Sequence, residues 1–104
     1  MLAVEIKDKV VLITGSNRGI GTSFVEKALE LGAAKVYATA RNTGSLTGLA
    51  AANPERVVLL NLDICDQRQV DAVAAAAQDV DVLINNAGAG GGGAIVAANN
   101  EAPK

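Results

Sequence analysis

The residues Thr14-Gly15-Ser16-Asn17-Arg18-Gly19-Ile20-Gly21 are the stretch of this chain most suited to chemistry. They follow an apolar run, Val10 to Ile13, and open a helical pattern that begins near Gly19. A strand, a glycine turn and a helix start, in that order, make a place to hold a phosphate. Gly15 can take the backbone angles of a sharp exit from a strand. Gly19 and Gly21 lack side chains, so a pyrophosphate can approach the backbone and the helix can lie close to the sheet. The first helical N–H groups have no intrahelical partner, and the positive end of the helix dipole points the same way. An anion satisfies both. Taken alone, the same glycines would also make a tight strand-to-helix turn with no ligand.

A second motif, Asn85-Asn86-Ala87-Gly88, closes another apolar run. Together the two resemble the short-chain dehydrogenase/reductase family, whose members carry T-G-x-x-x-G-I-G after the first strand and N-N-A-G after the fourth. The resemblance covers Lys7 to about Gly93. It implies a Rossmann-like domain binding a nicotinamide dinucleotide. Gly15, Ser16, Asn17, Arg18, Gly19, Ile20 and Gly21 would then hold the cofactor at its phosphates, and Asn86, Ala87 and Gly88 would lie beside its riboses. Ser16 and Asn17 could bond ribose or phosphate oxygens, but small polar residues are also ordinary turn formers. Asn85 is expected to hold strand 4 to its neighbour through backbone groups.

The elements that position these motifs follow from the apolar pattern. Lys9 to Thr14 reads as a first strand, and its continuous apolar run suits a strand covered on both faces. Gly19 to Leu31 reads as a helix with Ile20, Phe24, Ala28 and Leu31 facing the sheet, and Gly32 as its C-cap. Lys35 to Thr39 is a second strand, Thr43 to Ala52 a weak helix interrupted by Gly44 and Gly48, and Val57 to Asn61 a third strand. Asp66 is expected to cap a helix running to about Gln78, with Gln69 completing a capping box. Val80 to Asn85 is the fourth strand. This alternation predicts an α/β fold, a doubly wound parallel sheet with right-handed crossovers, truncated to about four strands. The family topology would give them the order 3-2-1-4.

Residues 1–93 thus read as a partial Rossmann dinucleotide-binding domain. After the glycine run 90–93, residues 94–104 read as a flexible tail, with a short helix or an extra strand as alternatives. Without strand 5, the edge of strand 4 over Val82-Leu83-Ile84 would be open. Self-association through that edge is expected unless residues after Gly93 fold back over it.

Composition narrows the function classes. The chain has 104 residues, a formal net charge of −2 and no basic run, so nucleic acid is not an expected partner. Its wholly apolar stretches are only a few residues long, so no membrane span is expected. Half the residues are apolar, but Phe24 and Tyr37 are the only aromatics, and a small core of modest stability is expected. With one cysteine, Cys65, and no histidine, neither an internal disulfide nor a transition-metal site is expected. Cys65 reads as a small apolar residue. These features suit a cytoplasmic protein.

Cofactor choice turns on the end of the second strand, Thr39-Ala40-Arg41. An NAD site usually places an acidic residue there for the ribose hydroxyls. Arg41, with Arg18 in the glycine loop, suits a 2′-phosphate, which a guanidinium meets in a bidentate way. In the family such residues accompany NADP(H), so NADP is expected ahead of NAD. The alternative is that both arginines are solvated surface charges. Asp63 follows the third strand; the family uses an aspartate there to bond the adenine amino group, whereas by itself it could simply bond backbone amides in its turn.

The family's catalytic serine, tyrosine and lysine, the last two in a Tyr-x-x-x-Lys motif, have no counterpart in these residues. Tyr37 lies within strand 2, and Arg41 stands four residues later in place of a lysine. No catalytic residue is assigned. The expectation is the N-terminal, adenine-side half of a reductase that binds NADP(H) without transferring hydride. The alternatives are a carbonyl reductase completed by another chain and a folded relic that binds no nucleotide.

Overall fold

The computed structural model describes residues 6–16, 19–86 and 95–98, with only the backbone described at 19, 20 and 95–98. The elements in chain order are β1 (Val10–Ile13), α1 (Gly19–Glu30), β2 (Lys35–Ala40), a 3-10 turn (Gly44–Leu46), α2 (Thr47–Ala52), β3 (Val57–Asn61), α3 (Gln67–Ala76), β4 (Val82–Asn85) and β5 (Ile95–Ala98). The sheet order is β3-β2-β1-β4-β5. The expected 3-2-1-4 core is present and parallel throughout.

Both faces of the sheet are packed, and side-chain alternation sorts the two cores. Val11 and Ile13 of β1, Val36 and Ala38 of β2, and Val82 and Ile84 of β4 point to one face. There they meet Val25 and Ala28 of α1 and Leu46 of the 3-10 turn. Leu12 and Tyr37 point to the other face, against Val73 of α3 and Ala77 just after it. Most of these side chains are small, so the close approach of helix to sheet substitutes for bulk.

Helix α1 presents a slightly different face from the one the apolar spacing predicts. Val25 is fully buried, Phe24 is half-buried, and Leu31 lies past the helix end with 48% exposure. The cause is Gly21. It is buried against β1, which brings the residues four and seven positions further on, Val25 and Ala28, down onto the sheet. The helix ends as expected at Gly32, whose φ is 93°. Gly32 N donates to Leu29 O at 3.1 Å and Ala33 N to Ala28 O at 3.0 Å, the paired bonds of a Schellman ending. Arg56 reinforces it, donating from Nη2 to Leu29 O at 2.9 Å and from Nε to Ala33 O at 3.1 Å.

The expected tail at 94–104 departs most from the sequence reading. Ile95–Ala98 forms β5, paired antiparallel to β4 with Asn85 opposite Ile95 and Val82 opposite Ala98. The edge of β4 is therefore covered, and the open edge on which the expected self-association depended is absent. Residues 94 and 99–104 lie outside the described set.

At the N-terminal ends of the strands, Lys35, Tyr37 and Asp79 form a closed triangle. Lys35 Nζ donates to Asp79 Oδ2 at 2.8 Å and to Tyr37 Oη at 3.1 Å, and Tyr37 Oη donates to Asp79 Oδ1 at 2.7 Å. The bond from Lys35 and then that from Tyr37 hold the Asp79 carboxyl below its usual range. The bond to Asp79 and then that to Tyr37 hold the Lys35 ammonium above its own. This places Tyr37 in a structural clamp at the end of the sheet opposite the glycine turn.

Two outcomes follow from this packing. Gly32→Ala forces a side chain into a left-handed backbone and should cost about 1–2 kcal/mol, measured by urea unfolding. Asp79 contributes stability above its unfolded-state pKa and loses that contribution as pH falls through its lowered folded value. Lys35 contributes below the ordinary lysine value and loses its contribution as pH rises through its raised one. Asp79→Asn should therefore flatten the acid limb of a stability–pH curve below about pH 4.

Candidate functional site

The C-terminal ends of β1, β2, β3 and β4 lie along one side of the sheet, and every described site residue falls there. Gly15 leaves β1 with φ 64°, the left-handed turn that glycine permits. Ser16 N then donates to Thr39 O at 2.9 Å, tying the turn to β2. Ser16 Oγ and Thr39 Oγ1 both donate to Ile13 O, at 2.7 and 3.0 Å, and both residues are fully buried. Ser16 thus takes the turn-forming role, with its hydroxyl turned into the protein. Thr22 Oγ1 donates to Ser16 O at 2.6 Å, joining the turn to the first coil of α1.

Gly21 is the closest contact in this region. A methyl group there would overlap the Gly15 carbonyl oxygen and lie 2.8 Å from Asn86 Nδ2. The first turn of α1 is therefore pressed against the exit of β1. Gly21 thus fills the place in a strand–turn–helix unit where the absence of a side chain lets the helix pack closely on the strand. Asn17 and Arg18, and the side chain of Ile20, lie outside the described residues.

Thr14 joins the two motifs. Its hydroxyl donates to Asn85 Oδ1 at 2.9 Å and accepts from Asn86 N at 2.8 Å. Asn86 Nδ2 reaches Gly15 O at 3.4 Å. Asn85 therefore meets the β1 side through its side chain, whereas its ladder partner is Ile95 of β5 and the β1–β4 ladder ends at Ile84. Ala87 and Gly88 lie outside the described residues.

Arg41 directly follows β2 and is exposed, two residues beyond the Thr39 carbonyl that anchors the turn. Its own carbonyl accepts from Asn61 Nδ2 at 3.3 Å. Asp63 follows β3, half-buried, and its Oδ1 accepts from Cys65 N at 2.9 Å. Asp63 N donates to Gln69 Oε1 at 2.8 Å. Asp66 caps α3 as expected, accepting from Arg68 N, but Gln69 reaches past it to Asp63, so the reciprocal capping box does not form. Cys65 is an exposed free thiol.

Sequence reasoning did not assign Thr14, Thr39, Thr22 or Gln69 to the site. Thr14 stands at the head of the glycine motif, and that position was the available signal. Gln69 showed only its capping-box spacing to Asp66, and Thr22 and Thr39 act through contacts that local sequence does not mark.

A doubly wound sheet with a glycine turn at the switch between β1 and β4 defines a dinucleotide-binding α/β domain of Rossmann type. The chain belongs to the short-chain dehydrogenase family, whose model matches residues 9–103. It is similar to a galactitol 2-dehydrogenase of Agrobacterium fabrum, with 35% identity over 88 residues that cover 81% of this chain and 34% of that protein. Among solved structures, a short-chain dehydrogenase from Burkholderia cenocepacia in complex with NADP is 40% identical at a TM-score of 0.74, over 82% of this chain and 34% of that one. A family member from Burkholderia phymatum in complex with NAD is 31% identical at a TM-score of 0.64, over 74% and 28% respectively. The chain spans about a third of the length of the curated relatives it matches. No helix among the described residues is long and apolar enough to cross a membrane.

The glycine contacts give a paired test. Gly21→Ala should destabilise the fold by about 1–3 kcal/mol, because the obstructing atoms are backbone and cannot swing away. Gly48→Ala, where a methyl group meets nothing within 4 Å, should stabilise α2 by up to about 1 kcal/mol. Denaturant midpoints of the two variants, compared with the parent chain, measure the difference.

Proposed function

We propose that these residues form the adenosine-phosphate-binding half of an NADP(H)-dependent oxidoreductase. The observation that carries this is the seating of Gly21 on the Gly15 carbonyl, which brings the start of α1 close to the switch point of the sheet. The diphosphate would rest on backbone amides from Gly15 to Gly21, and the adenine would lie toward the ends of β2 and β3.

Arg41 supports NADP over NAD. It is the exposed residue just after β2, where a ribose 2′-phosphate would fall, and no acidic residue stands at the end of that strand. Arg18 of the glycine loop is proposed as its partner. Asp63 is proposed to accept from the adenine amino group, and Asn86, Ala87 and Gly88 to flank the riboses. When bound, the nicotinamide supplies hydride chemistry. The tyrosine and lysine that the family uses for proton transfer are not among these 104 residues, since the one tyrosine, Tyr37, is engaged with Asp79. On this reading the chain binds the dinucleotide and does not itself turn over a carbonyl substrate. A cytoplasmic location, where NADP(H) is abundant, belongs to the same proposal.

Calorimetric titration tests both halves of the reading. NADPH should bind, and at about 100 times its dissociation constant should raise stability by about 2.7 kcal/mol. Arg41→Glu should weaken NADPH by about tenfold or more and NADH far less. Equal losses would remove Arg41 from the 2′-phosphate, and no binding of either nucleotide would remove the function.

A further inference from the structure

We propose that Gln69 is a positioning residue for base recognition: its side-chain amide sets the aim of the Asp63 carboxylate, and so the preference for adenine over a 6-oxopurine. This rests on the assignment of Asp63 to adenine made above.

The geometry is a brace across the β3–α3 connection. Gln69 projects from the first turn of α3 and is half-buried. Its Oε1 accepts from Asp63 N at 2.8 Å, and its Nε2 donates to Asp66 Oδ2 at 3.3 Å. Both ends of the amide are engaged, so its orientation is fixed; turning it over would set donor against donor and acceptor against acceptor. Asp66 N returns a bond to Asp63 O at 2.9 Å. The Asp63 backbone is thus held on its N–H side by Gln69 and on its carbonyl side by Asp66. With both peptide groups held, the Cα–Cβ direction is set, and the bond from Cys65 N to Oδ1 selects the side-chain rotamer.

Precise aim matters because the two purines present opposite groups at position 6, while hypoxanthine carries at N1 an N–H that a carboxylate free to swing could reach. The adenine amino group donates to a carboxylate, while the 6-oxo group of hypoxanthine is an acceptor that a carboxylate repels. A carboxylate held at the base edge discriminates sharply, because the wrong base leaves it unpaired. A carboxylate free to swing away accommodates both. Gln69 does not touch the base; it limits that swing.

The test uses the full chain with NADPH and its hypoxanthine analogue, reading the ratio of their affinities by calorimetry. The parent chain should prefer adenine by about tenfold. Asp63→Ala should abolish the preference. Gln69→Met, of similar size but without either bond, should reduce it by at least about threefold. If Gln69→Met does not fold, Gln69→Asn, one methylene too short to reach Asp63 N, replaces it with the same expected outcome. An unchanged ratio in the Gln69 variant, with the preference lost in Asp63→Ala, overturns this inference and leaves the Asp63 assignment standing. An unchanged ratio in Asp63→Ala, or no preference in the parent chain, overturns the Asp63 assignment and this inference with it.

Discussion

The contact between Gly21 and the Gly15 carbonyl is the constraint on which the rest of this molecule depends. It sets how near α1 lies to β1 and fixes the rotation of the helix about its axis. That rotation carries Val25 and Ala28 into the core and leaves Leu31 outside it. The same contact points the helix mouth at the ends of the strands. One steric fact therefore sets both the packing of the first βα unit and the place where α1 begins relative to the strand ends. Small hydroxyls complete the arrangement. Thr14 ties the turn to β4, Ser16 closes back on the Ile13 carbonyl of β1, Thr39 ties β2 to that same carbonyl, and Thr22 ties the turn to the helix. Each satisfies polar backbone that the tight turn would otherwise leave buried without a partner.

The two ends of the sheet divide the labour. The C-terminal ends carry glycine backbone and neutral polar side chains, with Arg41 exposed and Asp63 half-buried at the margin. The N-terminal ends carry charged groups already committed to the fold. Lys35 and Asp79 are bonded to each other, Asp81 Oδ2 accepts from Val10 N at 3.0 Å, and Arg56 closes the end of α1. Charges that are paired are poorly placed to meet a ligand, whereas open backbone amides and an exposed guanidinium are well placed. The N-terminal ends thus hold charges already bonded within the fold, while Arg41 stands exposed at the other.

Much of this was legible in the chain. The apolar runs located β1 to β4, since strands buried on both faces leave continuous hydrophobic stretches. The two motifs fell at the switch point because glycine and small polar residues there answer to backbone geometry, which is local. Non-local consequences were not legible. The periodicity of α1 allowed several faces, and only the steric demand at Gly21 selects one. Leu46, fully buried beneath the sheet, sits in a segment that reads as a weak helix because its neighbours are glycine, serine and threonine. Asp66 and Gln69 have capping-box spacing, but spacing cannot say that the amide would find Asp63 N instead of the N-cap.

Strand β5 shows what connection length alone can decide. Its residues, Ile95 to Ala98, have strand propensity, yet a short apolar segment after a glycine run fits a tail as well. The partner direction, once pairing occurs, was open to argument. Only residues 86–94 separate β4 from β5, fewer than the dozen or so that a crossover to a parallel neighbour takes. A strand arriving so soon after β4 can pair with it only by turning back, and β5 is antiparallel. The fifth strand therefore does not continue the doubly wound pattern of the first four. It covers the hydrogen-bonding edge of β4, which would otherwise present Val82, Leu83 and Ile84 to any chain able to pair with them.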